Sequence, residues 1–93
     1  MLNKPYFYSV VLTHEGVVAR NFLLVGEIVS NKAIVVEGEH KGKQVEKAAE
    51  EIFISECRKI RDVDSEELDI ALEEGYFTEG NWAVSIGQPE YEV

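Results

Sequence analysis

The spacing of apolar residues changes period near the middle of this chain, and that change restricts the fold more than any other feature. From Tyr6 to Thr13 the residues alternate, with Tyr6, Tyr8, Val10 and Leu12 on one face and Phe7, Ser9, Val11 and Thr13 on the other. A period of two in aromatic and β-branched residues predicts a strand, and Pro5, with no N–H to give a ladder, suits its start. From Lys43 to Ile60, by contrast, Val45, Ala48, Ala49, Ile52, Phe53, Cys57 and Ile60 recur at three- and four-residue intervals. At about 100° per residue they cover one broad arc, which predicts an amphipathic helix. Two residues break the pattern: Ile54 points away from the arc and Glu56 points into it.

His14-Glu15-Gly16 is a short connection to a second β-rich run, VVARNFLLVGEIV, so the first two strands form a hairpin. Gly26 interrupts that run and predicts a bulge or bend. Ser30-Asn31-Lys32 is a turn signal before a third strand, Ala33 to Glu37, and Gly38 to Gly42 is a polar loop. After the first helix, Asp64 is placed to N-cap a second, with Glu67 three residues on, where a capping box takes an acid. Leu68, Ala71 and Leu72 form its buried edge, and Gly75 is placed to end it in the left-handed conformation. Tyr76 to Gly80 reads as a turn and Asn81 to Gly87 as a fourth strand, closed by Gln88-Pro89 ahead of an acidic tail, EYEV. The order is β-β-β-α-α-β. Helices segregated from a meander define an α+β fold, an antiparallel sheet of three to four strands with two helices packed on one face. Ninety-three residues leave room for one core, so residues 1–93 form a single domain.

Charge is distributed unevenly. Residues 1–61 carry nine Lys and Arg against eight Glu, whereas residues 62–93 carry ten acids and no base, so the net charge of −9 belongs to the C-terminal third. Part of this excess serves the second helix: Asp64 caps it, and Glu66 and Glu67 lie in its first turn, where the helix dipole favours negative charge. Asp69, Glu73 and Glu74 are not explained that way, and the last two sit near the helix C-terminus, where the dipole disfavours them by a few tenths of a kcal/mol each, roughly. Such a stretch argues against direct contact with nucleic acid or anionic lipid and favours a cationic partner.

Motifs for chemistry are weak. Asp62-x-Asp64-x-Glu66, with Glu73 at the twelfth position, follows the outline of an EF-hand loop, but Glu67 stands where that loop needs Gly and Asp69 where it packs an apolar residue. One Cys and the dispersed His14 and His40 make a poor zinc set, and Cys57 on the apolar arc reads as a small buried hydrophobe. GEHKGK lacks the spacing of a phosphate loop. Glu56 is the one acid placed for a raised pKa, unless it sits at the rim within reach of Lys59 or Lys43. These readings predict a protein that is not an enzyme and needs no cofactor or metal. The N-terminal residues lack the basic region and cleavage site of a secretory signal, and no apolar run approaches a membrane span, which with the single Cys predicts a cytoplasmic location.

Binding features are stronger. Tyr76, Phe77 and Trp82 are embedded in the acidic third, and aromatics ringed by carboxylates suit an Arg- or Lys-rich protein surface. The expected partner-binding residues are Asp62, Asp64, Glu66, Glu67, Asp69, Glu73, Glu74, Tyr76, Glu79 and Trp82. In size and charge the chain resembles small acidic α+β proteins of phages and mobile elements that mimic nucleic acid and inhibit a basic nucleic-acid-binding protein. The alternative is a non-catalytic homo-oligomeric accessory protein, with Ile54 or a sheet edge as the contact and the acids maintaining solubility.

Overall fold

The computed structural model describes the backbone of residues 5–87 and 90–91 and the side chains of residues 7–87. Its elements are β1 (Pro5–His14), β2 (Val17–Val29), β3 (Lys32–Val35), α1 (Val45–Ile60), α2 (Ser65–Glu74), β4 (Tyr76–Glu79), β5 (Trp82–Ile86) and β6 (Glu90–Tyr91). The sheet is antiparallel in the order β3-β2-β1-β5-β4, and two-residue β6 pairs with β1 beyond the end of β5. The α+β class and the two packed helices agree with the sequence pattern. The strand number does not: five strands and a short sixth replace three or four.

The missed strand is β4. Tyr76 to Glu79, expected as a turn, pairs with β5 from Tyr76↔Ser85 to Glu79↔Trp82. That register leaves only Gly80 and Asn81 as the loop, and Gly80 takes a positive φ of 60°. A glycine at the first of two loop residues is the mark of a tight hairpin, which makes room for a strand on either side. The other hairpins follow the same economy. Glu15-Gly16 joins β1 to β2 and Ser30-Asn31 joins β2 to β3, all four residues at positive φ. Part of the expected acidic tail also joins the sheet, since Glu90 and Tyr91 pair with Phe7 and Tyr6. The side chains of Tyr6 and Tyr91 lie outside the described residues.

One core cluster draws on β1 to β5 and on both helices. Val10, Leu12, Leu24, Val35, Phe77 and Val84 come from the sheet; Val45, Ala48, Ala49, Phe53 and Cys57 come from α1; Leu68 and Ala71 come from α2. The predicted arc of α1 is thus its buried face, with Ile52 and Ile60 packed at the margin. Ile54 requires a correction: it is half-buried and packs against the core instead of pointing away from it. The helix begins at Val45 and not Lys43, because residues 42–44 are tied to β3. Val35 N–H donates to the Lys43 carbonyl (2.9 Å), Gly42 N–H donates to the Val35 carbonyl (2.9 Å), and Gln44 bridges to Ile34.

Gly26 is not a bulge. Its pairing is continuous, to Tyr6 on one side and Val35 on the other, and the irregularity falls instead at Leu12/Thr13, where the register skips Ala19. Gly26 is needed for a close approach: a Cβ there would lie 2.6 Å from Val45 Cγ2 and 3.0 Å from the Ile34 carbonyl oxygen. Gly26→Ala should therefore lower stability by about 1–3 kcal/mol through overpacking, read as a fall in the urea midpoint. In a Val45→Ala background the same change should cost much less; equal costs in both backgrounds would show that the Val45 contact does not matter.

Candidate functional site

The acidic third is organised by a cap, a clamp and an exposed arc. Asp64 N-caps α2 as its position predicts, its Oδ1 accepting from the Glu67 N–H at 2.9 Å, and Gly75 closes the helix at φ 82° in the left-handed region. The expected capping box is not completed by Glu67. Its Oε2 accepts instead from Arg61 Nη2 at 2.7 Å. Arg61 Nε also donates to Glu79 Oε2 at 2.7 Å, Nη1 donates to the Asp62 carbonyl at 2.9 Å, and the guanidinium lies 5.1 Å from the Phe77 ring centre. The last base in the chain thus ties the end of α1 to the first turn of α2 and to the β4–β5 hairpin. The hydrogen bonds that Arg61 donates to Glu67 and Glu79 hold its pKa above its already high ordinary value, so it stays protonated. Sequence reasoning missed this role, although a last base directly before an uninterrupted acidic run is a signal for it.

With Glu67 and Glu79 matched and Asp64 capping, five acids remain between Asp62 and Glu79. Asp62, Glu66, Asp69, Glu73 and Glu74 form no ion pair among the described residues. Because Leu68 and Ala71 face the core, helical spacing sets Asp69, Glu73, Glu66, Ile70 and Glu74 on one outward arc of about 140°. Ile70 is 57% exposed within it. Beside it Tyr76 is 53% exposed, and Glu67, Ile70, Glu74, Tyr76 and Thr78 line a shallow hollow of about 300 Å³. β4, which carries Tyr76, is one of the two edge strands in the order β3-β2-β1-β5-β4.

Trp82 is not gathered into this hollow. It sits at the far end of the β4–β5 hairpin, opposite Glu79, and its ring stacks on His14 with centroids 4.1 Å apart. Phe77 is buried in the core. Of the expected partner-binding residues, then, Glu66, Asp69, Glu73 and Glu74 lie on the outward arc of α2, and Glu67, Glu74 and Tyr76 line the hollow at its side. Asp64, Glu67 and Glu79 are engaged within the chain, while Asp62 and Trp82 flank the surface. Ile54, the expected oligomer contact, lines a separate shallow depression with Glu51, Ser55, Arg58 and Lys59.

Glu56 is buried, 2% exposed, and not at the rim. Lys59 Nζ lies 3.0 Å from its Oε2 and Arg20 Nη1, from β2, lies 3.4 Å from its Oε1, while Lys43 pairs with Glu51 at 2.8 Å. Neither Glu56 oxygen has a hydrogen-bond partner. Its neighbour Cys57 is fully buried, and burial pushes its thiol up to about 11, so it is a packed thiol and not a thiolate at neutral pH. Residues 65–74, which carry most of the EF-hand-like spacing, are helix, and no group of three or more His, Cys, Asp or Glu among the described residues could hold a metal ion. No helix among the described residues is long and apolar enough to cross a membrane.

Set beside known proteins, the chain matches no family model, no curated protein and no solved structure. Arg61→Met should keep the packing of the side-chain stem while releasing Glu67 and Glu79. We expect a small loss of stability at low salt, because the bonds lie at the surface, and a smaller loss at high salt. Unchanged melting at both salt concentrations would mean that the clamp contributes nothing.

Proposed function

We propose that the outward arc of α2 and the hollow beside β4 form a docking surface for a basic segment of another protein, in which Lys or Arg alternates with apolar residues. The observation that carries this reading is the combination of four unpaired carboxylates on α2, Glu66, Asp69, Glu73 and Glu74, with two exposed apolar side chains beside them, Ile70 and Tyr76. Unmatched like charges on one helix face repel, and a cationic partner relieves that repulsion and draws in its ligand from a distance. Ile70 and Tyr76 supply the apolar anchors that charge alone lacks. In its sharper form the surface imitates nucleic acid. Glu66 to Glu74 rises about 12 Å along the helix, the span of three or four phosphates on one strand, so the mimicry would be of a short backbone segment.

A synthetic peptide of alternating Arg and Leu, titrated by calorimetry, tests this surface. Binding should weaken steeply with ionic strength and fall at least about tenfold in Glu66→Gln/Asp69→Asn/Glu73→Gln/Glu74→Gln. It should also fall in Ile70→Ser/Tyr76→Ser, which leaves the charges in place. Undiminished binding by the charge variant would refute the proposal.

A second reading is self-association through the sheet face that the helices leave uncovered. Val18 and Leu23 are 59% and 58% exposed there, with half-buried Phe7, Val11 and Val25 beside them. On this alternating face β1 from Phe7 to Thr13 is uncharged and β2 from Asn21 to Val25 likewise, so two copies could meet without bringing their acids together. Sedimentation should then show a dimer that persists at high salt and is lost in Leu23→Lys, whereas a monomer at all concentrations would exclude it.

A further inference from the structure

The two edges of the sheet are finished differently. At the β3 edge, residues 42–44 act as a strap: Val35 N–H donates to the Lys43 carbonyl, Gly42 N–H donates to the Val35 carbonyl, and Gln44 bridges to Ile34. That edge is thereby closed to another chain. At the opposite end of the order β3-β2-β1-β5-β4, β4 pairs with β5 alone among the described residues. Its register fixes which backbone groups stay open. The two-residue loop makes Glu79↔Trp82 a hydrogen-bonded pair, and bonded pairs then alternate through Phe77↔Val84 to Gly75, whose carbonyl accepts from Ile86 N–H at 2.9 Å. Tyr76 and Thr78 therefore turn their N–H and C=O outward, and neither forms a further backbone hydrogen bond among the described residues.

Nothing in β4 blunts this edge. Its sequence, YFTE, holds neither Pro nor Lys, its pairing with β5 runs without a register shift, and its one charged side chain, Glu79, is drawn to Arg61. The open groups border the hollow of about 300 Å³ beside α2, with Glu67, Ile70 and Glu74 on the helix wall and Tyr76 and Thr78 on the strand side. A bare strand edge facing a helix wall across a hollow suits an extended chain. Charge decides whose chain it is. A second copy, joined edge to edge about an axis normal to the sheet, would set two α2 helices side by side, each with Glu66, Asp69, Glu73 and Glu74 unpaired. A basic chain meets the same carboxylates with opposite charge.

We propose that a basic segment of the partner protein binds β4 as an added strand and extends the sheet by one. This rests on the docking surface proposed above and assigns the bound segment its conformation and register. Backbone bonds to Tyr76 and Thr78 hold it, and its alternate side chains fall on opposite faces. On the helix face an Arg or Lys lays its stem along Ile70 and carries its charge toward Glu74. On the other face an apolar side chain packs beside Tyr76.

The test compares the alternating Arg and Leu peptide with two versions of it, N-methylated either at every Arg or at every Leu. In an added strand only one of these sets points its N–H groups at β4. Methylation of that set should lower affinity at least about tenfold, and methylation of the other should change it little. The amides of Tyr76 and Thr78 should exchange rapidly in the free chain and at least about tenfold more slowly with the unmodified peptide bound. Thr78→Pro, which removes an outward donor and no bond to β5, should weaken binding about tenfold; the methylated peptides decide the matter if that variant fails to fold. Salt-sensitive binding with both methylated peptides tolerated and the two amides still exchanging freely overturns the added strand but leaves the docking surface standing. No binding of the unmodified peptide removes both. Slow exchange of the two amides in the free chain that increases with its concentration assigns the edge to a second copy, which also overturns the proposal.

Discussion

The helix α1 can lie on the sheet as it does only because both surfaces are flat where they meet. Ala48 and Ala49 present almost no side chain, and Gly26 presents none to Val45, so the first turns of the helix approach the β2 backbone at van der Waals distance. Close packing at that end sets the position of everything downstream. Phe53 and Cys57 then fall over the middle of the sheet, and α1 ends where Arg61 can reach both α2 and the β4–β5 hairpin. The strap from residues 42–44 to β3 holds the start of the helix in register with the sheet edge.

Electrostatics follows from that placement. The bases of the first two-thirds are drawn onto nearby acids: Lys43 onto Glu51, Lys59 and Arg20 onto Glu56, Arg61 onto Glu67 and Glu79. No described base forms an ion pair with the outward side of α2. The charge asymmetry of the sequence thereby becomes a spatial one, with a structural clamp at the start of α2 and unmatched carboxylates along its exposed arc. The same economy holds the buried Glu56 carboxylate between two cations, Lys59 from its own helix and Arg20 from β2.

Reading the chain residue by residue recovered the hairpin, both helices, the cap at Asp64 and the stop at Gly75, because each rests on neighbours within a few positions. It misplaced Gly26 because a glycine kept for a bulge and one kept for a close approach look alike until the facing residue, Val45, is known. It lost β4 because four residues after a helix stop carry little periodicity, although Gly80-Asn81 between two β-rich runs was a usable hairpin signal. Glu67 satisfied the spacing of a capping box, yet a guanidinium from outside the helix offered a stronger, charge-assisted bond than a backbone N–H.

Local spacing by itself determined the fold class, the buried face of α1 and the concentration of negative charge in the last third, since period and composition are properties of the chain alone. Only the tertiary structure decided which acids are matched, that Tyr76 joins Ile70 while Trp82 turns to His14, and that residues as distant in sequence as Phe22, Glu37 and Glu56 enclose one hollow. Those outcomes depend on strand order and on the seating of α1, which bring together side chains whose separation along the chain carries no trace of their contact.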